Sequence, residues 1–188
     1  GADPIFVDSD YDNFNLDLED LESKITNQTK AIVPVHFSGY MVHMPKLMKL
    51  SQKFNIPIVE DACQSILASI NNKNSGTWGS TGCFSLHPLK NINVWSDGGI
   101  ITTNDINIYN DLLLLRNHGL KDRDTVVKLG YNSRLDTFQS IVANWLLPKA
   151  KDIANKRIDN AKYYDDSLNF IKGIKVPKRP KNFKIVYH

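Results

Sequence analysis

The feature that most constrains this chain is a repeated switch between two hydrophobic periods. Short β-branched or apolar runs at residues 31–37, 56–59, 83–86 and 99–103 are too brief for helices and end in turn or acidic residues. Stretches at 15–25, 44–54, 106–116 and 134–147 instead space their apolar residues three and four apart. Strands that alternate with helices imply parallel pairing, because a parallel partner is reached only by a crossover. The expected fold is therefore α/β, a three-layer arrangement with a mostly parallel central sheet flanked by helices. In such folds ligands gather beyond the carboxyl ends of strands.

Local signals refine this outline. Residues 5–8 read as a short strand, and Pro34 marks a weak point in the run 31–37, since proline cannot donate to a ladder. The polar turn 71–74 between short β-prone segments predicts a small hairpin. Asn104-Asp105 is a cap signal for the helix that follows. Residues 117–133 form a long polar loop, a length often associated with function. Pro148 predicts a kink into a second, more charged helix that ends near Phe170. From Ile171 the chain turns basic, with Lys172, Lys175, Lys178, Arg179, Lys181 and Lys184. The expected division is a partial large domain over 1–170 and the start of a smaller domain over 171–188.

Bulk properties exclude several classes. The 188 residues carry a net charge of +3, too small to argue for nucleic acid, and the basic tail lacks interleaved stacking residues beyond Phe183. No run is long and apolar enough for a membrane helix, and there is no leader pattern at the amino end. Cys63 and Cys83 do not form a close-spaced metal pair. They read as free thiols of a cytoplasmic protein, with a disulfide as the alternative. The chain opens without methionine and closes on the apolar Ile185-Val186. The expectation is a piece of a longer polypeptide.

Two strand ends carry chemistry. The run ending in Glu60-Asp61-Ala62-Cys63-Gln64 places a carboxylate just beyond a strand. The segment Phe84-Ser85-Leu86-His87-Pro88-Leu89-Lys90-Asn91 places a lysine beyond another. Taken singly, Asp61 is a helix cap and Lys90 a solvated lysine. Together they match the needs of pyridoxal phosphate, where a lysine forms the Schiff base and a carboxylate keeps the ring nitrogen protonated. His36, His87 and His118 show no metal-binding spacing, and no metal is expected.

Further pieces extend the pattern: Gly1 to Asp8, Pro34-Val35-His36, Gly98-Gly99, Leu115-Arg116-Asn117-His118-Gly119 and Gly130-Tyr131-Asn132-Ser133-Arg134-Leu135-Asp136. In this order they resemble the DegT/StrS-type sugar aminotransferases, pyridoxal phosphate enzymes of the aspartate-aminotransferase fold, fold type I. The resemblance implies an incomplete large domain that lacks amino-terminal and carboxyl-terminal parts. It implies Lys90 as the catalytic, cofactor-bound lysine and Asp61 at the pyridinium nitrogen. Gln64 would lie near the ring's phenolic oxygen and Ser85 at the phosphate. Asn132 would reach the phosphate of a neighbouring subunit, so that a homodimer shares its active sites. Tyr131, Arg134 and His36 are the candidates for substrate binding. The implied reaction is ping-pong transamination of a nucleotide-linked keto sugar, with glutamate or glutamine as amino donor, in the biosynthesis of polysaccharides or other glycans. A sugar dehydratase of the same family is an alternative that Lys90 disfavours, because those enzymes replace the lysine with histidine. A non-catalytic scaffold or regulatory fragment is the other alternative. The 188 residues alone are expected to bind the cofactor weakly or not at all, since the family's other phosphate donors precede the position of Gly1.

Overall fold

The computed structural model describes residues 1–188. Its main sheet has β1 (Val59–Asp61), β4 (Thr81–Ser85) and β5 (Gly99–Thr102) in the order β1-β4-β5. β1 and β4 are parallel, with Asp61 opposite Cys83. On the outer side of β1 runs the segment 31–37, bridged in parallel at Ile32–Ile58 and Val35–Asp61. Its ladder is nearly complete. Ile32 N–H donates to Pro57, Val59 N–H to Ile32, Asp61 N–H to Pro34 and His36 N–H to Asp61, at 2.9–3.0 Å. The missing rung is the one Pro34 cannot donate, which splits a strand into two isolated bridges.

β4 and β5 are antiparallel. A parallel return needs a crossover helix, and residues 86–98 contain none. The chain instead folds back on itself, and Lys90 lies in that reversal. A second small sheet has the order β3-β2-β6, from β2 (Ser69–Ile70), β3 (Lys73–Asn74) and β6 (Phe183–Lys184). The β2–β3 turn holds Asn71 and Asn72 at φ 50° and 64°, the left-handed pair that a tight hairpin requires and asparagine tolerates. The basic tail therefore closes on β6, and Val186 is fully buried in the main core. Lys175 and Lys178 pair with Asp12, and Arg179 with Asp165, so much of the tail's charge is satisfied within the chain.

Residues 5–8 form no strand. Ile5 and Phe6 are 70% and 84% exposed, and strand propensity without a neighbouring edge gives no ladder.

The first four α-helices begin at side-chain caps. Asp17 receives the N–H groups of Glu19 and Asp20 at α1 (Leu18–Lys24), and His43 receives that of Lys46 at α2 (Met44–Phe54). Asp105 caps α3 (Ile106–Leu115). α4 (Thr137–Leu146) starts three residues later than its apolar pattern suggests, because Asp136 and Gln139 form a reciprocal capping box. Pro148 lies in a short 3-10 turn that leads into α5 (Ala150–Leu168).

Alternation along the strands divides the sheet into unlike faces. Ile32, Pro34, His36, Ile58 and Glu60 are buried on one face, where α1 and α2 supply Leu21, Met44 and Leu47. Val33, Val35 and Ile101 project from the other and are 57%, 42% and 51% exposed. Within this chain, helices cover the first face of the mostly parallel sheet and leave that apolar row open.

The covered face contains an ionised group. Glu60 is 0% exposed, and its Oε1 accepts the N–H groups of Trp78 and Gly79 at 2.6 and 2.8 Å. Its Oε2 accepts that of Gly76 at 2.8 Å and meets His36 Nε2 at 3.0 Å. Burial pushes the Glu60 carboxyl up, but the hydrogen bonds from His36, Gly79 and Gly76 outweigh it and hold it below its usual range. The stability this gives is present above the ordinary carboxylate pKa and is lost as pH falls through the folded value. Urea unfolding across pH 7 to 3 is expected to show stability falling below the ordinary 4.5, with a flatter profile in Glu60→Gln. Parallel profiles would contradict the assignment. At pH 7 Glu60→Gln is expected to lose about 3 kcal/mol, because its amide would face donors that need an acceptor.

The loop over Glu60 also explains Gly82. A Cβ there would meet Gly76 Cα at 2.2 Å and its carbonyl oxygen at 2.6 Å, both backbone atoms. Gly82→Ala is expected to destabilise the protein by about 2–3 kcal/mol in chemical denaturation; an unchanged midpoint would show that the loop can retreat.

Candidate active site

Glu60 and Asp61 are adjacent in β1, so their side chains leave opposite faces of the sheet. With Glu60 fastened in the covered face, Asp61 emerges on the other, half-buried at the strand's end. Its Oδ1 accepts the N–H of Cys63 at 3.0 Å, and no cation pairs with it. The turn after β1 continues to Gln64, whose Oε1 accepts the N–H of Ser38 at 2.7 Å. That bond leaves the Gln64 amide nitrogen free to donate.

Lys90 is carried by the β4–β5 reversal. Leu86 N–H donates to Gly98, and Val94 N–H to Leu86, which close the loop at its base. Leu86, Ile92 and Val94 are buried against Ala143 of α4 and Ala150 of α5. Lys90 N–H donates to His87 at 2.8 Å in a local turn. The apolar residues on either side thus anchor the lysine while its ammonium has neither an ion pair nor a side-chain hydrogen bond. Its charge is nonetheless felt beside Asp61. The Cys63 thiol is pushed up to about 11 by burial first and then by Asp61, while Lys90 acts in the opposite direction. At that value the thiol stays protonated at neutral pH, and both cysteines are free.

Ser85 lies at the end of β4 and accepts the N–H of His87 at 3.2 Å, which leaves its hydroxyl proton to donate outward. Next to Lys90, the buried Asn91 Oδ1 has no hydrogen-bond donor, and its amide donates to Tyr187 at 3.4 Å. The residues fit pyridoxal phosphate by donor type: an unpaired amine for the aldehyde, an unpaired carboxylate for the ring nitrogen, an amide for the phenolic oxygen and a hydroxyl for the phosphate. Asp61 ends β1 and Gln64 lies in the turn after it, while Ser85 ends the strand paired with β1 and Lys90 lies beyond it.

Tyr131, Asn132 and Arg134 are exposed. Backbone bonds tie them to the end of α3: His118 N–H donates to Tyr131, Tyr131 N–H to Leu115 and Ser133 N–H to Arg116. Leu135 packs against the Lys90 loop, and Gln139 reaches the Asp97 carbonyl, so this surface adjoins that loop. His36 is placed differently from its expected substrate role. It is 0% exposed, with Nε2 on Glu60 and Nδ1 accepting the Val42 N–H at 3.3 Å, and it offers no open face to a ligand. The buried part played by Glu60 was not singled out from sequence; its signal was a charged residue at an inward position of an apolar strand.

No group of His, Cys, Asp and Glu side chains is arranged to hold a metal, and no helix is long and apolar enough to cross a membrane. The chain is 37% identical over 188 residues to UDP-N-acetyl-3-dehydro-alpha-D-glucosamine 3-aminotransferase of Acidithiobacillus ferrooxidans, covering 100% of this chain and 51% of that protein. It is 37% identical over 180 residues to UDP-2-acetamido-2-deoxy-3-oxo-D-glucuronate aminotransferase of Pseudomonas aeruginosa, covering 94% and 49%. Among solved structures it superimposes on S. venezuelae DesV in complex with a ketimine intermediate with a TM-score of 0.95 and 32% identity, covering 100% of this chain and 50% of that one. The chain spans about half the length of the curated relatives it matches. The DegT/DnrJ/EryC1/StrS aminotransferase family matches residues 1–188, and the chain belongs to that family, whose cofactor is pyridoxal phosphate.

Proposed function

We propose that this chain supplies the lysine-bearing part of the active site of a transaminase acting on a nucleotide-linked keto sugar, with glutamate or glutamine as amino donor. The observation that carries the reading is a carboxylate, Asp61, at the end of β1 and an amine, Lys90, beyond the parallel strand β4, both without ion-pair partners. Nucleotide-sugar aminotransferases such as the Acidithiobacillus ferrooxidans protein support the substrate class.

When bound, pyridoxal phosphate supplies an electron sink for the bond broken at the amino-bearing carbon. Lys90 Nζ would hold the cofactor through its aldehyde and would carry the proton to and from that carbon. The Asp61 carboxylate keeps the ring nitrogen protonated, and the Gln64 amide orients the phenolic oxygen. Ser85 donates its hydroxyl to the phosphate. Asn132, exposed on the segment bridged to Asn117, would reach the phosphate held by a second copy in a homodimer, and Tyr131 and Arg134 would contact the sugar nucleotide.

The test is borohydride reduction of the full-length protein with pyridoxal phosphate, followed by peptide mapping. The label is expected on Lys90 and is expected to vanish in Lys90→Ala together with transamination. Full activity in Lys90→Ala, or label at another lysine, would overturn the reading.

A further inference from the structure

The buried network beneath β1 lies one residue from the carboxylate that the proposed chemistry needs. We propose that Glu60 and His36 are positioning residues that lock the end of β1, so that the Asp61 carboxylate is presented to the cofactor's ring nitrogen. The inference rests on the pyridoxal phosphate reading above.

The Asp61 side chain has only a near neighbour in sequence to hold it, Cys63, through its N–H and its thiol. Its direction is therefore set by its own backbone. On the β4 side it lies opposite Cys83, and the tie is made by the next residue, Ala62 N–H, which donates to Cys83 at 2.9 Å. On the other it donates to Pro34 at 2.9 Å and accepts from His36 N–H at 3.0 Å. Both partners belong to segment 31–37, the strand that Pro34 deprives of one rung. The side chain of His36 restores a tie at this weak point through its 3.0 Å contact with Glu60. Val42 N–H donates to His36 Nδ1, which leaves Nε2 as the ring nitrogen that donates to Glu60.

The same segment reaches a second expected cofactor contact. Ser38 follows His36 by two residues, and its N–H holds Gln64 Oε1. Glu60 also pins the Gly76, Trp78 and Gly79 amides, and Thr102 Oγ1 of β5 donates to the Gly76 carbonyl at 2.7 Å. One carboxylate thus joins the outer strand, β1, the covering loop and, through that loop, β5. Packing alone does not call for a charge here, because apolar side chains of similar volume fill such positions as well or better. Directed hydrogen bonds supply what apolar contacts lack, a single angular setting for the strand's end.

The experiment uses the full-length protein and reads pyridoxal phosphate affinity, the pH at which the bound cofactor's absorbance changes, and Tm. Glu60→Gln and His36→Leu are expected to weaken cofactor binding about tenfold or more and to move the absorbance midpoint, while His36→Gln stays within about twofold of wild type, as outer partners of a ligand generally behave. The glutamine amide can accept from Val42 and donate to Glu60, which is the rescue a merely apolar role would not show. Leu47→Ala, in the core away from Asp61, is expected to lower Tm and leave affinity and midpoint unchanged.

Wild-type affinity and midpoint in folded His36→Leu would overturn the proposal. So would His36→Gln as weak as His36→Leu, or an equal loss of affinity in Leu47→Ala. Should Glu60→Gln not fold, the His36 variants decide. A wild-type protein that takes no reducible cofactor would overturn the function reading itself, whereas normal wild-type labelling with unaffected variants overturns the positioning role alone.

Discussion

A single buried carboxylate sets the geometry on which the rest of the molecule depends. Glu60 is enclosed by four donors, the amides of Gly76, Trp78 and Gly79 and the ring of His36. An unpaired charge there would cost several kcal/mol, so the loop 76–79 and the segment 31–37 that carries His36 must stay in place around it. Because side chains alternate along a strand, fastening Glu60 inward turns Asp61 outward. The same fact links core and site: one residue satisfies the buried face and its neighbour presents an unpaired carboxylate for the proposed chemistry.

The lysine is placed by a different device. Where β4 could have continued through a crossover helix, the chain reverses over residues 86–98 and returns antiparallel as β5. Leu86, Ile92 and Val94 sink into a cluster with α4 and α5. The reversal carries Lys90 past the tip of the strand that neighbours Asp61. The acid therefore depends on a hydrogen-bonded core, and the amine on an apolar one. Substitutions in the two regions should separate, with polar changes near His36 touching the acid and cavities near Ile92 touching the amine.

Much of this was legible in the residues. The 3.6-residue pattern of 44–54 became α2 over that span, and Asn71-Asn72 became the expected hairpin turn. The family also followed from the ordered short motifs. Other features depended on contacts that a linear pattern does not display. Residues 5–8 have strand character but no adjacent edge. β5 looks like any other strand, and its direction follows only from the lack of a helix before it. His36 carries no mark of burial, since a histidine after a strand can face either way; its fate was decided by Glu60, twenty-four residues later. The exposed row Val33, Val35 and Ile101 is likewise visible only once the sheet is formed.

The central claim is that the outward carboxylate of β1 keeps the cofactor's ring nitrogen protonated. The most direct measurement is the nitrogen-15 chemical shift of ring-labelled pyridoxal phosphate bound to the full-length protein, compared between wild type and Asp61→Asn. The account predicts a protonated ring nitrogen in the wild type and an unprotonated one in the variant at the same pH. The same shift in both proteins would contradict it.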